Sequence, residues 1–118
     1  MSNSSCIFCR IVAGEIPATI VAQSDHGIAF RDLSPQAPVH VLVIPRRHVD
    51  SLAEATDTGA DVAELGDLLR LAGEVARVSG VADSGYRVVA NTGREGGQTV
   101  GHLHFHVLGG RPMAWPPG

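Results

Sequence analysis

A chain of 118 residues, 44% hydrophobic and 18% charged, has the size and composition of one domain and can bury roughly two-thirds of the surface its unfolded form exposes. Its net charge of -3 argues against a nucleic-acid polymer as partner, because backbone binding needs a clustered basic surface, yet leaves a small phosphate ligand open. The longest apolar runs are too short to cross a bilayer, and no basic stretch leads into a long apolar run at the N-terminus, so a soluble, cytoplasmic protein without a membrane partner is expected.

In chain order, residues 1–5 read as a loose polar tail, and a single domain then runs to the C-terminus, with no repeat or linker-like change of composition. Cys6 to Ala13 suits a short helix stopped by Gly14 and Pro17. Thr19 to Gln23 and Gly27 to Arg31 read as a hairpin about Ser24-Asp25-His26-Gly27. The turn-rich Ser34-Pro35-Gln36-Ala37-Pro38 leads into Val39 to Ile44, a β-branched strand that ends at Pro45 and should be central in a sheet.

From Asp61 to Val78 the apolar stripe Val62, Leu65, Leu68, Leu69, Ala72, Val75 and Ala76 predicts a long amphipathic helix, weakened slightly by Gly66 and Gly73. Tyr86 to Asn91 is the next strand, Thr92 to Gly101 a Gly-rich loop, and Leu103 to Leu108 a last strand before the Pro-rich tail at residues 110–118. The fold class is α+β: a mainly antiparallel sheet carrying one long helix on one face, with a short N-terminal helix besides.

Two stretches carry chemistry. Cys6-Ile7-Phe8-Cys9 is a CxxC pair, which in a reducing compartment reads as half a metal site, as a redox pair, or as two incidental thiols. His102-Leu103-His104-Phe105-His106-Val107-Leu108 alternates polar and apolar residues, so a strand would turn all three imidazoles to one face and bury Leu103, Phe105 and Val107 on the other. At about 3.3 Å per residue the outer imidazoles stand roughly 13 Å apart, too far to share one metal from a straight strand, and the three must divide their labour. Imidazole can be nucleophile, proton carrier or ligand near neutral pH. Directly upstream, Gly93-Arg94-Glu95-Gly96-Gly97-Gln98-Thr99-Val100-Gly101 offers backbone freedom for a nest of N–H groups and a hydroxyl at Thr99, an anion cradle that suits phosphoryl chemistry.

These residues resemble the His-φ-His-φ-His-φ-φ signature of the histidine-triad (HIT) superfamily. Phe8 to Pro17, Phe30 to His40, Val43 to His48 and Gly109 to Gly118 are similar to its Hint branch, so the resemblance covers nearly the whole chain. It implies a HIT-like α+β homodimer that binds purine nucleoside monophosphates and hydrolyses adenosine or guanosine 5′-phosphoramidates through a covalent nucleotidyl-histidine, with no catalytic metal.

Carried over singly, His104 matches the nucleophile, His106 the residue at the scissile phosphate and leaving group, and His40 a supporting histidine. Asp32 matches the acid on the ribose hydroxyls, and Phe30 and Leu33 line the nucleoside pocket. Asn91, Gly97, Gln98 and Thr99 match positions around the phosphate, and Trp115 a tail residue that reaches the partner subunit's site across the dimer. Cys6 and Cys9 resemble the zinc-binding pair of other superfamily members, with His48 and His102 completing a closed set of two thiolates and two imidazoles for structural Zn2+. Gly101 and Ala114 depart from bulkier residues in Hint relatives, at positions that bear on substrate preference.

Two other readings compete. One keeps the chemistry but takes a dinucleoside polyphosphate or another nucleotidyl conjugate; the tail Trp115-Pro116-Pro117-Gly118 favours Hint over it. The other is a nucleotide-binding regulatory module, against which the intact His104, His106 and Asp32 count.

Overall fold

The computed structural model describes residues 5–57 and 62–118. Apart from Ser5, the expected polar tail lies outside the described residues, as does the expected start of the long helix at Asp61. The elements in chain order are α1 (Ile7–Val12), β1 (Ile20–Gln23), β2 (Gly27–Arg31), β3 (Val39–Pro45), α2 (Leu52–Asp57), α3 (Val62–Val78), β4 (Tyr86–Ala90), α4 (Gly93–Gly96) and β5 (Phe105–Gly109). The strands form one antiparallel sheet in the order β1-β2-β3-β5-β4, with the β-branched β3 at its centre as its sequence requires.

Period-two alternation sorts the strand residues between two apolar layers. Ala29, Val41, Val43, Phe105 and Val107 point to one face, where Leu68, Leu71, Ala72 and Val75 of α3 cover them. Ile28, Phe30, Leu42 and Ile44 point to the other, where Phe8 of α1 joins them. The helix α3 closes tightly on β2 because Gly27 has no side chain: a Cβ there would stand 2.6 Å from Leu68 Cδ2. The short α1 covers only part of its face. The even-numbered positions of β3 and β5 beyond it, His40 and His106, are left for other use.

Three expectations need correction, and one element was not expected. The buried stripe of α3 is Leu68, Leu71, Ala72, Val75 and Ala76, whereas Val62 and Leu69 are exposed, because the helix is rotated to put Leu71 rather than Leu69 against the sheet. The helix α2 is too short for periodicity to reveal. The Gly-rich loop contains a helical turn, α4, closed by Gly97 in the left-handed conformation at φ 80°. Finally, regular pairing of the last strand begins at Phe105, not Leu103. The Leu103 N–H leaves the sheet to bond the Val49 carbonyl, and opposite it β3 ends in Pro45, which has no N–H to continue a ladder. In place of a main-chain rung, the His102 ring Nε2–H donates to the Pro45 carbonyl oxygen at 2.9 Å.

Candidate active site

The three triad imidazoles fall on the α1 side of the sheet, as alternation requires, but they do three different things. His102 turns away from solvent into a cluster with Cys6, Cys9 and His48, whose ligand atoms all lie within 4.8 Å of one another. Cys6 caps α1 and its Sγ accepts the Cys9 N–H at 3.4 Å, which folds the two thiols toward the same point. Cys6 Sγ is 3.3 Å from His102 Nδ1, and Cys9 Sγ is 3.2 Å from His48 Nδ1 and 3.6 Å from His102 Nδ1.

Hydrogen bonding on the far side of each ring decides what these nitrogens can be. His102 Nε2 faces the Pro45 carbonyl and His48 Nε2 faces Asp50 Oδ1 at 2.8 Å, both pure acceptors, so each Nε2 carries the hydrogen and each Nδ1 presents a lone pair to the thiols. That is the outer-shell arrangement that prepares histidine for a metal. The donor set therefore fits a tetrahedral ion with sulfur and nitrogen preference.

In a second group, Asp32, His40 and His106, the ligand atoms lie equally close together but are committed to hydrogen bonds with one another. The Gln36 N–H donates to His40 Nδ1 at 3.0 Å, so neutral His40 carries its hydrogen on Nε2. That hydrogen is directed at His106 Nδ1, 2.9 Å away, and Asp32 Oδ2 lies 3.4 Å from His40 Nε2. His106 Nδ1 is then an acceptor, and His106 Nε2 is an N–H donor. This group is a hydrogen-bonded chain of fixed direction. His106 Nε2 is buried and, among the described residues, has no partner.

Burial chiefly, and then the neighbouring His104 and His40, push the His106 pKa down to about 4; burial also lowers His40, against the opposing pull of Asp32. Both rings are neutral near pH 7, as the chain of donors requires.

His104 lies between the two groups. Its Nδ1–H donates to the His102 carbonyl at 2.7 Å, which fixes the tautomer and leaves Nε2 as a bare lone pair. The ring stands edge-on to Phe8 at 5.3 Å and to His106 at 4.9 Å between centroids. A neutral imidazole held with a free Nε2 is a competent nucleophile.

Three concavities hold the other candidate residues, and two of them are lined by Phe8 and His106, whose rings pack against His104. An apolar slot of ≈ 160 Å³ between α1 and β2 is lined by Phe8, Ile11, Pro17, Phe30 and Leu42, with Asp32 and the 97% exposed Leu33 at its lip. A groove of ≈ 250 Å³ contains Gln36, His40, Asn91 and His106, with Arg87 and Arg111 farther along. An open basin of ≈ 720 Å³ is lined by Gly97, Gln98 and Thr99 together with Asp50 and Ser51. The nucleotide residues carried over from the resemblance are thus split among three concavities, with His104 lining none of them, while Trp115 stands out on the tail, 82% exposed.

The loop spends several of its polar groups on itself. The Gly97 N–H bonds Arg94 O and the Gln98 N–H bonds Gly93 O, while the Gln98 side chain donates to Asp50 O and accepts from the Gly93 N–H. Sequence reasoning missed Gln36, which sets the direction of the His40–His106 chain, and Asp50, which orients His48. It also missed Phe8, which touches His102 and His104. The His48-Val49-Asp50 spacing and the placement of Phe8 inside CxxC were the available signals.

The chain is similar to known proteins over its full fold. The HIT domain profile matches residues 13–113. An uncharacterized HIT-like protein of Synechococcus elongatus is 54% identical over 98% of this chain and 99% of its own length. Among solved structures, a HIT family hydrolase from Legionella pneumophila superposes with a TM-score of 0.89 at 46% identity, covering 96% of this chain and 99% of that one. A histidine triad protein from Clostridium difficile gives 0.90 at 40% identity, covering 97% of each. With the triad imidazoles on one face of an antiparallel sheet and this likeness across its length, the chain belongs to the HIT domain family and has the HIT-like α+β fold.

Proposed function

We propose that this protein hydrolyses purine nucleoside 5′-phosphoramidates through a covalent nucleotidyl-His104. The observation that carries the reading is the fixed tautomer of His104: Nδ1–H is committed to the His102 carbonyl and Nε2 is a lone pair, on a ring packed between Phe8, which lines an apolar slot, and His106 with its unpartnered N–H. The slot takes the purine base, Asp32 at its lip takes the ribose hydroxyls, and the phosphoryl group rests against His104 and His106 with Asn91, Gly97, Gln98 and Thr99 nearby.

In the first step His104 Nε2 forms a bond to phosphorus and the P–N bond to the leaving amine breaks. The amine needs a proton. The bound phosphoryl charge opposes the burial that keeps His106 neutral, so His106 becomes an imidazolium and passes a proton to the departing nitrogen. The added proton on His106 Nδ1 is tolerated because the His40 Nε2–H has a second acceptor in Asp32 Oδ2 at 3.4 Å. In the second step neutral His106 takes a proton from water as that water attacks phosphorus, which releases nucleoside monophosphate and restores His104. Splitting one displacement into two lowers each barrier.

Cys6, Cys9, His48 and His102 hold structural Zn2+ in this reading. The tail around Trp115 docks on a second copy of the chain in a homodimer, where Trp115 lies near the partner's leaving-group side.

A hydrolysis screen of adenosine 5′-phosphoramidate against diadenosine polyphosphates, with mass spectrometry after a rapid quench, tests the proposal. Turnover of the phosphoramidate with a nucleotidyl adduct on His104 supports it. A preference for the polyphosphates by orders of magnitude, or binding of nucleoside monophosphate without any turnover, overturns it.

A further inference from the structure

We infer that the Cys6–Cys9–His48–His102 centre is a positioning device for catalysis: an ion bound there sets the orientation and tautomer of His104 through the His102 main chain. The inference rests on the readings of His104 as nucleophile and of the cluster as a zinc centre. It adds a coupling that neither contains.

The geometry has three arms leaving one small centre. The shortest is His102 itself, whose ring meets the thiols through Nδ1 while its carbonyl accepts the His104 Nδ1–H at 2.7 Å. Fixing the ring at both nitrogens, by the ion and by the Pro45 carbonyl at 2.9 Å, fixes the peptide that follows and with it the acceptor that specifies the His104 tautomer. The second arm is α1: Cys6 and Cys9 flank Phe8, whose ring is edge-on to His102 at 5.8 Å, to His104 at 5.3 Å and to Phe30 of the slot at 5.5 Å. The third runs from His48 to Asp50, whose carbonyl accepts from Gln98 Nε2 at 2.7 Å and so braces the basin loop.

Without an ion the same Nδ1 atoms face S–H groups at 3.2 to 3.6 Å, and a thiol is a weak donor. The restraint on the Nδ1 side of His102 is then soft, and the ring is held firmly only through Nε2 at the Pro45 carbonyl, in a segment that has left the sheet ladder and is tied by the Leu103 N–H to Val49. His102 and His48 are thus positioning residues, acting on the nucleophile without touching substrate.

The test compares full-length protein loaded with one equivalent of zinc, the same protein stripped by chelator, and His48→Ala and His48→Cys variants. Zinc content, near-UV circular dichroism, 15N-resolved spectra of the His104 imidazole, and kcat with adenosine 5′-phosphoramidate are read on each at one fixed pH. Zinc-loaded protein should show a single Nδ1–H tautomer at His104. Stripping, or His48→Ala, should give averaged tautomers and lower kcat by roughly 10- to 100-fold, as loss of outer-shell support does elsewhere. His48→Cys, which keeps a fourth ligand, should recover both. If the stripped chain loses its near-UV signal, His48→Ala at saturating zinc supplies the comparison.

An unchanged His104 spectrum and kcat in folded, zinc-free protein overturns the coupling and leaves the hydrolase reading intact. Failure to bind zinc overturns the centre as well. A zinc-dependent His104 tautomer without phosphoramidate turnover supports the coupling and overturns only the substrate.

Discussion

Single nitrogens decide the proposed chemistry. If His104 Nε2 is the nucleophile, His104→Gly should lower kcat on the order of 10⁴-fold or more, since the covalent route is lost outright. Nucleoside monophosphate affinity should stay within a few-fold, because the slot is built from Phe8, Phe30 and Leu42 and the strand is anchored by Phe105 and Val107. Single-turnover kinetics and calorimetry separate the two effects.

A pH dependence of stability follows from His106, whose pKa is pushed down to about 4, and from His40, lowered in the same direction. The unfolded chain binds these protons at ordinary imidazole pH and the folded chain does not. Their contribution is therefore complete above about pH 6.5 and is lost as the pH falls toward the folded value. Below that, Asp67, lowered by the Ser24 hydroxyl and by its bonds with His26, adds a further acid loss. Urea midpoints for the parent should fall between pH 7.5 and 5, and the fall should be smaller in His106→Asn. NMR titration of His106 with and without bound nucleoside monophosphate should show its pKa raised by the phosphate; an unmoved value removes it as the proton donor.

The elements show how far a sequence can be read. Strands were legible for different reasons, β5 from alternation, β3 from its β-branched run ended by Pro45 and β2 from its hairpin turn; each sends one parity of residue to α3 and the other to α1 or to the imidazoles. Legibility failed where tertiary contacts outrank local pattern. Leu69 and Leu71 fit a helix equally well, and only packing on the sheet chose Leu71. The alternation of His102, Leu103 and His104 looks like strand, yet Pro45 on the neighbouring strand ends the ladder there, a pairing that no single-strand pattern contains. In the site, the residue types were legible and the directions of their hydrogen bonds were not, since Gln36, Asp50 and the His102 carbonyl act through backbone or orientation. Close approach is likewise invisible from sequence. A Cβ at Gly109 would stand 2.9 Å from Val81 Cβ and Cγ2, and a β-branched neighbour cannot swing aside. Gly109→Ala should therefore cost about 1 to 3 kcal/mol in a urea unfolding series.

At the scale of the whole molecule, the exposed indole of Trp115 and the outward Tyr86 and Val88 of edge strand β4 are surfaces that a second copy would cover. Light scattering should give twice the 12.3 kDa chain mass, and truncation after Arg111 should alter the ranking of amine leaving groups more than nucleotide affinity. A strictly monomeric parent, or an unaltered ranking, would assign the tail another role. Trp115 is also the sole tryptophan in the sequence. The side chain with most to gain from being covered is thus the chain's dominant fluorophore, and its emission carries no background from the core. Dilution through any dimer dissociation should move that emission to the red as the indole enters water. Assembly can therefore be followed optically, without a label and at concentrations too low for scattering.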